Sequence, residues 1–313
     1  MDIDLRSKVI IFKEYYKDVN KVLRLESNKI KNLESFLYTT TDEEIDYEKT
    51  KEIKKYIKKS ELGYVFSGDI RKIISIFLFS NDNYKKIIKD TIIIYDHLIS
   101  KGFEKDKFTA FISFSISNRF HEKEYDNIIK KMIYIKRTLE FKEHIKYKTN
   151  IKYLCFLNLA TFTKSSKEIL EDYLNIYDKL INEGFSETET FYSVSTLILS
   201  DNKNYVERLN KVKDIKRVFQ NNNIIICEEY YLLIGLSSLI VEKTEKFVGD
   251  VIEVYNQFAE KKHSKKNIFM LLSIGLVLNE YIQVISTKHM NSFIQGEVNL
   301  LSRLIEYITI LLI

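Results

Sequence analysis

Five pentapeptides recur along the chain at nearly constant spacing: Ile94-Tyr95-Asp96-His97-Leu98, Ile135-Lys136-Arg137-Thr138-Leu139, Ile176-Tyr177-Asp178-Lys179-Leu180, Ile215-Lys216-Arg217-Val218-Phe219 and Val254-Tyr255-Asn256-Gln257-Phe258. The steps between them are 41, 41, 39 and 39 residues. The apolar residues upstream repeat with them. Ile87, Ile88, Thr91, Ile94 and Leu98 match Ile128, Ile129, Met132, Ile135 and Leu139, then Ile169, Leu170, Tyr173, Ile176 and Leu180. Offsets of 0, 1, 4, 7 and 11 fall on one face of a helix with 3.6 residues per turn. We name this helix A of each unit. A period near 40 residues that holds over five copies requires stacked supersecondary units, because no single copy can bury its own apolar face.

A second, more continuously apolar segment follows each helix A: Phe108 to Ile116, Ile151 to Phe162, Phe191 to Leu199, Tyr230 to Ile240 and Ile268 to Leu278. Such segments suit a helix covered on several sides, helix B. Gly102-Phe103 and Gly184-Phe185 supply the left-handed glycine and the apolar residue of a Schellman motif. Ser165-Ser166-Lys167-Glu168 and Ser186-Glu187-Thr188-Glu189 are capping boxes at helix starts. The chain has no proline and only 8 glycines, so few residues interrupt helices. Hydrophobic content of 45% supports a folded core.

The expected fold is all-α: an α-solenoid, a right-handed superhelix of helical hairpins of the HEAT/TPR kind, with about fourteen helices by pattern. Neighbouring helices ~10 Å apart would make it roughly 60–70 Å long. Residues 1–45 are expected as amino-terminal capping helices, 46–285 as the hairpin repeats and 286–313 as carboxy-terminal capping helices, in one continuous unit. A partial copy around Ile53 and Ile57 precedes the five, and the pattern decays at Phe293. Degenerate end units have one neighbour only.

Copies one, three and five carry Tyr-Asp, Tyr-Asp and Tyr-Asn, whereas copies two and four carry Lys-Arg. Stacking would align Tyr95, Lys136, Tyr177, Lys216 and Tyr255 in one row, and Asp96, Arg137, Asp178, Arg217 and Asn256 in the next. An inter-repeat ion-pair ladder is expected along the second row, with Tyr–Lys packing beside it.

The strings Ile94 to Phe103 and Ile176 to Phe185, each followed by an apolar helix, resemble an uncharacterised helical family of low-GC Gram-positive bacteria, domain of unknown function family four thousand and three. The resemblance covers most of the chain from roughly Ile53 onward. Its motifs describe packing, and it implies no activity, cofactor or site residue.

Nothing in the sequence marks catalysis. His97, His121, His144, His263 and His289 have no ligand partners at metal-binding spacing. Gly63-Tyr-Val-Phe-Ser-Gly68 has phosphate-loop spacing, but Asp69-Ile70 stand where Lys and Ser/Thr are needed. The acids Asp42, Glu43, Glu44, Asp46 and Glu48 lack a calcium-loop pattern and suit a helix start. Lys51, Lys54, Lys55, Lys58 and Lys59, and Lys261, Lys262, His263, Lys265 and Lys266, form basic clusters interleaved with acids. The stripe Tyr15, Tyr16, Tyr84, Tyr95, Tyr134, Tyr153, Tyr173 and Tyr177 sits mostly at core spacing. Cys155 and Cys227 read as buried reduced thiols.

The opening residues Met1-Asp2-Ile3-Asp4-Leu5-Arg6 carry early acids and no apolar core, so they are not expected to be a secretory signal, and the longest apolar stretch, Ile268 to Leu278, is shorter than the ~20 residues needed to cross a bilayer. The chain is therefore expected in the cytoplasm, without a cofactor and with no membrane partner. The expected function is non-catalytic: binding or scaffolding, most directly of a protein or peptide along a concave face. One alternative is a nucleic-acid-binding HEAT-like protein; another is an enzyme on an α/α scaffold, in which Glu228 and Glu229 would serve. Ile305 to Ile313 is too apolar to be left in water, so it is expected as a buried cap or a homodimer contact.

Overall fold

A computed structural model describes residues 5–41, 46–61, 63–66, 68–141, 151–162, 164–197, 205–259, 266–288 and 294–312. Among the described residues there are fifteen α-helices and no strand. In chain order they are α1 (Leu5–Val22), α2 (Asn28–Thr41), α3 (Tyr47–Lys59), α4 (Asp69–Phe77), α5 (Tyr84–Ser100), α6 (Lys107–Arg119), α7 (Glu122–Phe141) and α8 (Lys152–Ala160). There follow α9 (Ser166–Asn182), α10 (Glu187–Leu197), α11 (Tyr205–Asn221), α12 (Tyr231–Ile240), α13 (Thr244–Ala259), α14 (Lys266–Lys288) and α15 (Ile294–Leu312). The class is all-α. The chain divides into two compact units. The smaller holds Leu25–Ile30 and Glu43–Leu170, and the larger Met1–Arg24, Lys31–Asp42 and Glu171–Leu312.

In the smaller unit the helices pack as consecutive pairs, α3 on α4, α5 on α6 and α7 on α8. Helices two apart also touch: α3 with α5 and α5 with α7, α4 with α6 and α6 with α8. The apolar offsets explain the first set. Ile88, Thr91, Ile94 and Leu98 of α5 are buried, as are Ile128, Ile129, Met132, Ile135 and Leu139 of α7. Each fully buried Ile or Leu contributes about 1.5–3 kcal/mol. The second set is buried all round: Thr109 to Ser117 of α6 and Tyr153 to Ala160 of α8 lie in continuous buried runs. In the α6 run Ser113 Oγ donates to Thr109 O at 2.8 Å and Ser117 Oγ to Phe114 O at 3.0 Å, which satisfies these two hydroxyls, whereas Thr109 Oγ1 and Ser115 Oγ are buried without a hydrogen-bond partner among the described residues.

Tyrosine–carboxylate ties fix neighbouring helices. Tyr84 OH donates to Glu52 Oε1 at 2.5 Å, joining α5 to α3. That bond pushes the Tyr84 phenol up to about 12 and holds the Glu52 carboxyl below its ordinary value. Tyr125 OH donates to Asp90 Oδ2 at 3.2 Å, joining α7 to α5.

The larger unit repeats this order. Helix α10 packs on α12 and α12 on α14, while α11 packs on α13 and α13 on α14. Tyr281 OH donates to Asp250 Oδ2 at 2.8 Å across α14 and α13. Helix α1, expected in an amino-terminal cap, lies against α13 and α14. Phe12 meets Phe258 edge-on at 5.2 Å, Lys8 pairs with Glu280 at 3.3 Å, and Arg6 pairs with Glu253 at 3.0 Å. Helix α2 is buried from Lys31 to Thr40, polar side chains included. Its hydroxyls turn back on the helix, Ser35 Oγ to Lys31 O and Thr39 Oγ1 to Ser35 O, both at 2.7 Å. Lys31 Nζ donates to Asn20 Oδ1 at 2.8 Å.

Helix α14 runs 23 residues and continues past the apolar stretch Ile268 to Leu278. Its stretch Asn267–Ile285 is long and apolar enough to cross a membrane. Met270 to Asn279 are nonetheless buried in the unit, where α14 meets α1, α12, α13 and α15. The apolar end of the chain is likewise taken up by packing: Ile305, Ile308, Ile310 and Leu312 are buried, and α15 packs on α12 and α14.

The turn signals behave as their chemistry requires. Phe103 N donates to Leu98 O and Gly102 N to Ile99 O, at 3.2 and 3.0 Å, and Phe185 and Gly184 repeat the pattern on Leu180 and Ile181. Gly102 and Gly184 have φ of +88° and +79°, the conformation that glycine adopts without a Cβ clash. Ser186 N donates to Glu189 Oε2 at 3.0 Å and Glu189 N to Ser186 Oγ at 3.2 Å, a complete capping box. Asp46 caps α3 by accepting from Lys49 N at 2.9 Å.

Candidate functional site

The two rows predicted from the repeat occupy different environments. In the first, Tyr95 and Tyr177 are buried, and Lys136, Lys216 and Tyr255 are half-buried. In the second, Asp96, Arg137, Asp178, Arg217 and Asn256 are all exposed. One residue of helix is a 100° turn, which carries the second row from the flank of the buried stripe to its far side. Within each unit the expected rungs of the ladder are absent among the described residues. Among the described residues no ion pair joins Asp96 to Arg137 or Asp178 to Arg217, and Arg217 pairs with Asp214 of its own helix at 2.8 Å. An aspartate's short side chain, directed to water, does not bridge helices about 10 Å apart.

The lysines of the first row do pack on aromatic rings, but on the phenylalanine of a glycine turn instead of a helix A tyrosine. In the smaller unit Lys136 Nζ lies 5.5 Å from the Phe103 ring centre and 2.7 Å from Glu140 Oε2. The Tyr153 ring is 5.1 Å from Phe103, and its hydroxyl accepts from Glu104 N at 3.2 Å. In the larger unit Lys216 Nζ lies 4.1 Å from the Phe185 ring centre, 5.8 Å from that of Tyr231, and 2.7 Å from Glu189 Oε2. The same three parts therefore recur: a Gly-Phe turn, the lysine of the next helix A and a tyrosine of the next helix B. The carboxylate differs. Glu140 comes from the lysine's own helix, whereas Glu189 is the capping-box glutamate of α10.

Glu189 thus accepts from the Ser186 amide and from Lys216 at once. Ser186 Oγ also donates to Glu228 Oε1 at 2.8 Å. Burial first, then the neighbouring Glu189 and Glu228 carboxylates, raise the Tyr231 phenol well above its ordinary value. A shallow cleft of about 330 Å³ opens beside this cluster, lined by Glu183, Phe185, Lys213, Asp214, Lys216 and Arg217 among others. Its charges are matched: Lys213 pairs with Glu183 at 2.8 Å, Arg217 with Asp214 and Lys216 with Glu189. The chemistry is that of a clamp, an ammonium held between a carboxylate and ring faces.

Unmatched charge lies elsewhere, on the outer face of α5 and α7. Ile93 is 68% exposed and Tyr134, at the same repeat position, 49% exposed. Lys89 and Lys130 share the position one turn earlier, and Arg137 follows Tyr134 on its helix; all three are exposed. None of these three cations forms an ion pair among the described residues. Periodicity alone places Tyr134 with the core tyrosines; Tyr84, Tyr95, Tyr153, Tyr173 and Tyr177 of the same stripe are buried, and Tyr134 is not.

Among the described residues no group of three or more His, Cys, Asp or Glu side chains could hold a metal ion. Cys155 is buried and Cys227, expected to be buried as well, is half-buried; neither forms a disulfide. His97 is half-buried and His121 exposed. Asp42, Glu43, Glu44, His144, Lys261, Lys262, His263, Lys265, His289 and Phe293, and the Glu229 and Lys266 side chains, lie outside the described residues.

The chain belongs to the DUF4003 family of proteins of unknown function, whose model matches residues 15–305. No curated protein matches the chain. No solved structure matches it.

Proposed function

We propose that this is a non-catalytic binding or scaffold protein of the cytoplasm: an α-solenoid of hairpins stacked in chain order within each unit, presenting an extended surface to a protein or peptide partner. The alternating contacts of α3, α5 and α7, and of α4, α6 and α8, support the repeat reading, since stacking of like elements is what a 40-residue period produces. One observation carries the functional reading. Helix B residues are spent on the core, whereas the helix A face at Ile93 and Tyr134 leaves apolar groups in water, and exposed apolar groups rimmed by charge are the ordinary composition of a docking surface.

The test is site-specific photo-crosslinking in the native host, with a benzophenone amino acid at Tyr134 or, as control, at Asn175 of α9. A discrete protein adduct at Tyr134 and none at Asn175 is expected. Adducts that vanish with nuclease treatment, or equal adducts at both positions, would overturn the reading.

A further inference from the structure

We infer that the outer face of α5 and α7 docks an acidic protein segment in which apolar side chains stand between carboxylates; this rests on the protein-binding reading above and adds its location and the chemistry of the partner. The repeat itself supplies the control. Ile93 and Tyr134 occupy the position filled by Asn175 in α9, Asp214 in α11 and Glu253 in α13. That position faces solvent in α5, α7, α9 and α13 and is half-exposed in α11. Packing therefore does not require an apolar residue there, and only α5 and α7 carry one.

Charge identifies the partner. Residues 43–170 hold 26 Lys and Arg against 18 Asp and Glu, although the whole chain is only +5. Within the face, Lys89, Lys130 and Arg137 have no carboxylate partner among the described residues. The nearby acids are partly committed: Glu122 pairs with Lys86 at 2.9 Å, Asp90 accepts from Tyr125, and Glu140 pairs with Lys136. Asp96 and Asp126 remain exposed beside the three cations. Helix α3, which packs on α5, carries Glu52 and Glu48 at the positions of Ile93 and Lys89, committed to Tyr84 and Lys51, and adds Lys55 at the position of Arg137, exposed and unpaired among the described residues. An apolar centre of Ile and Tyr, flanked by Arg and Lys, matches an anionic segment with buried anchors. Single-stranded nucleic acid would use the cations and the Tyr134 ring, but it would leave Ile93 without a role.

The experiment is selection of random displayed 16-residue peptides on the full-length protein, followed by anisotropy titrations of the enriched peptides and of fluorescein-labelled oligo(dT) and oligo(U). Enriched peptides should combine Asp or Glu with Leu, Ile or Phe. Their binding should weaken at least about tenfold in Tyr134→Ser and in Arg137→Glu and stay unchanged in Asn175→Ser. Enriched peptides that bind all variants equally would overturn the location and leave the protein-binding reading standing. No enrichment at all would overturn both. Oligonucleotides binding more tightly than the peptides, and losing affinity in the same two variants, would replace the acidic segment with nucleic acid. Concentration-dependent dimerisation abolished by Tyr134→Ser would make a second copy of the chain the occupant, and also overturn the inference.

Discussion

The Lys216 ammonium sits 4.1 Å above the Phe185 ring and 2.7 Å from Glu189 Oε2, so one side chain of α11 ties together the turn after α9 and the first turn of α10. The side chains of Lys216 and Glu189 are only 17% and 13% exposed. At that burial the pair is screened far less than a surface bridge, and loss of either partner strands the other charge.

Lys216→Met keeps the length of the side chain and removes its charge. The stranded Glu189 should cost about 2–3 kcal/mol of stability, the buried-pair figure reduced for partial exposure. The sister cage should respond less, because Glu140 is 36% exposed; Lys136→Met should cost about 1 kcal/mol or less. Urea midpoints followed by circular dichroism compare the two. Equal losses would show that the cages do not differ in the way their burial implies. Adding Glu189→Gln to Lys216→Met should recover part of the loss, the signature of direct coupling.

Gly275 is a point of close approach inside the larger unit. A Cβ there would stand 2.8 Å from Ile308 Cδ1 and 3.0 Å from Phe36 Cε2, both side chains buried. Gly275→Ala should therefore destabilise by about 1–3 kcal/mol through overpacking, despite the better helix propensity of alanine. Ile308→Val in the same chain should return part of that, because it removes the terminal methyl that collides. A stabilised Gly275→Ala single variant would show that the core yields at no cost.

Gly184 tests the backbone instead. Nothing lies within 4 Å of a Cβ built there, yet φ is +79°. Gly184→Ala should cost about 1–2 kcal/mol from left-handed strain alone, with Gly184→Asn costing less, since asparagine tolerates that conformation. Thermal melts of the three proteins give the order. An Ala variant as stable as the Asn variant would remove the argument.

The helix A stripes, the glycine turns and the capping boxes are legible in the sequence because each depends on residues within about a dozen positions of one another. The rest depends on contacts the period does not encode. Lys136 and Lys216 meet rings 33 and 31 residues back, at Phe103 and Phe185. The signal was present in the alternation itself, since a Gly-Phe pair precedes each Lys-Arg copy and no other. The apolar stripe Ile30, Leu33 and Leu37 marks helix α2 in the sequence, but the burial of its polar side chains is not legible there: Ser35, Thr39 and Thr40 turn their hydroxyls onto the helix's own carbonyls and Lys31 reaches Asn20. The rungs expected within each unit, Asp96 to Arg137 and Asp178 to Arg217, are missing among the described residues for a geometric reason. Equivalence of repeat positions aligns helices, but it does not shorten the gap between side chains that point into water.

Alkaline titration should expose the tyrosine ties. Tyr84, Tyr95 and Tyr125 are pushed up to about 12, Tyr84 by its bond to Glu52 and the other two chiefly by burial. Burial raises Tyr153 and Tyr281 as well. In the unfolded chain these phenols ionise at about 10. A raised folded value means the folded state keeps protons that the unfolded state has released, so stability is fully present below about pH 10 and falls as pH climbs towards 12. The chain has 21 tyrosines and no tryptophan, so near-ultraviolet phenolate absorbance reports them without interference. Exposed tyrosines should titrate first, with helix content intact. The buried set should stay silent and then ionise in one cooperative step that coincides with loss of the far-ultraviolet helix signal. A single smooth wave centred near pH 10, with the helices preserved throughout, would mean that these hydroxyls are open to water and that the ties between α3 and α5, α5 and α7, and α13 and α14 do not hold.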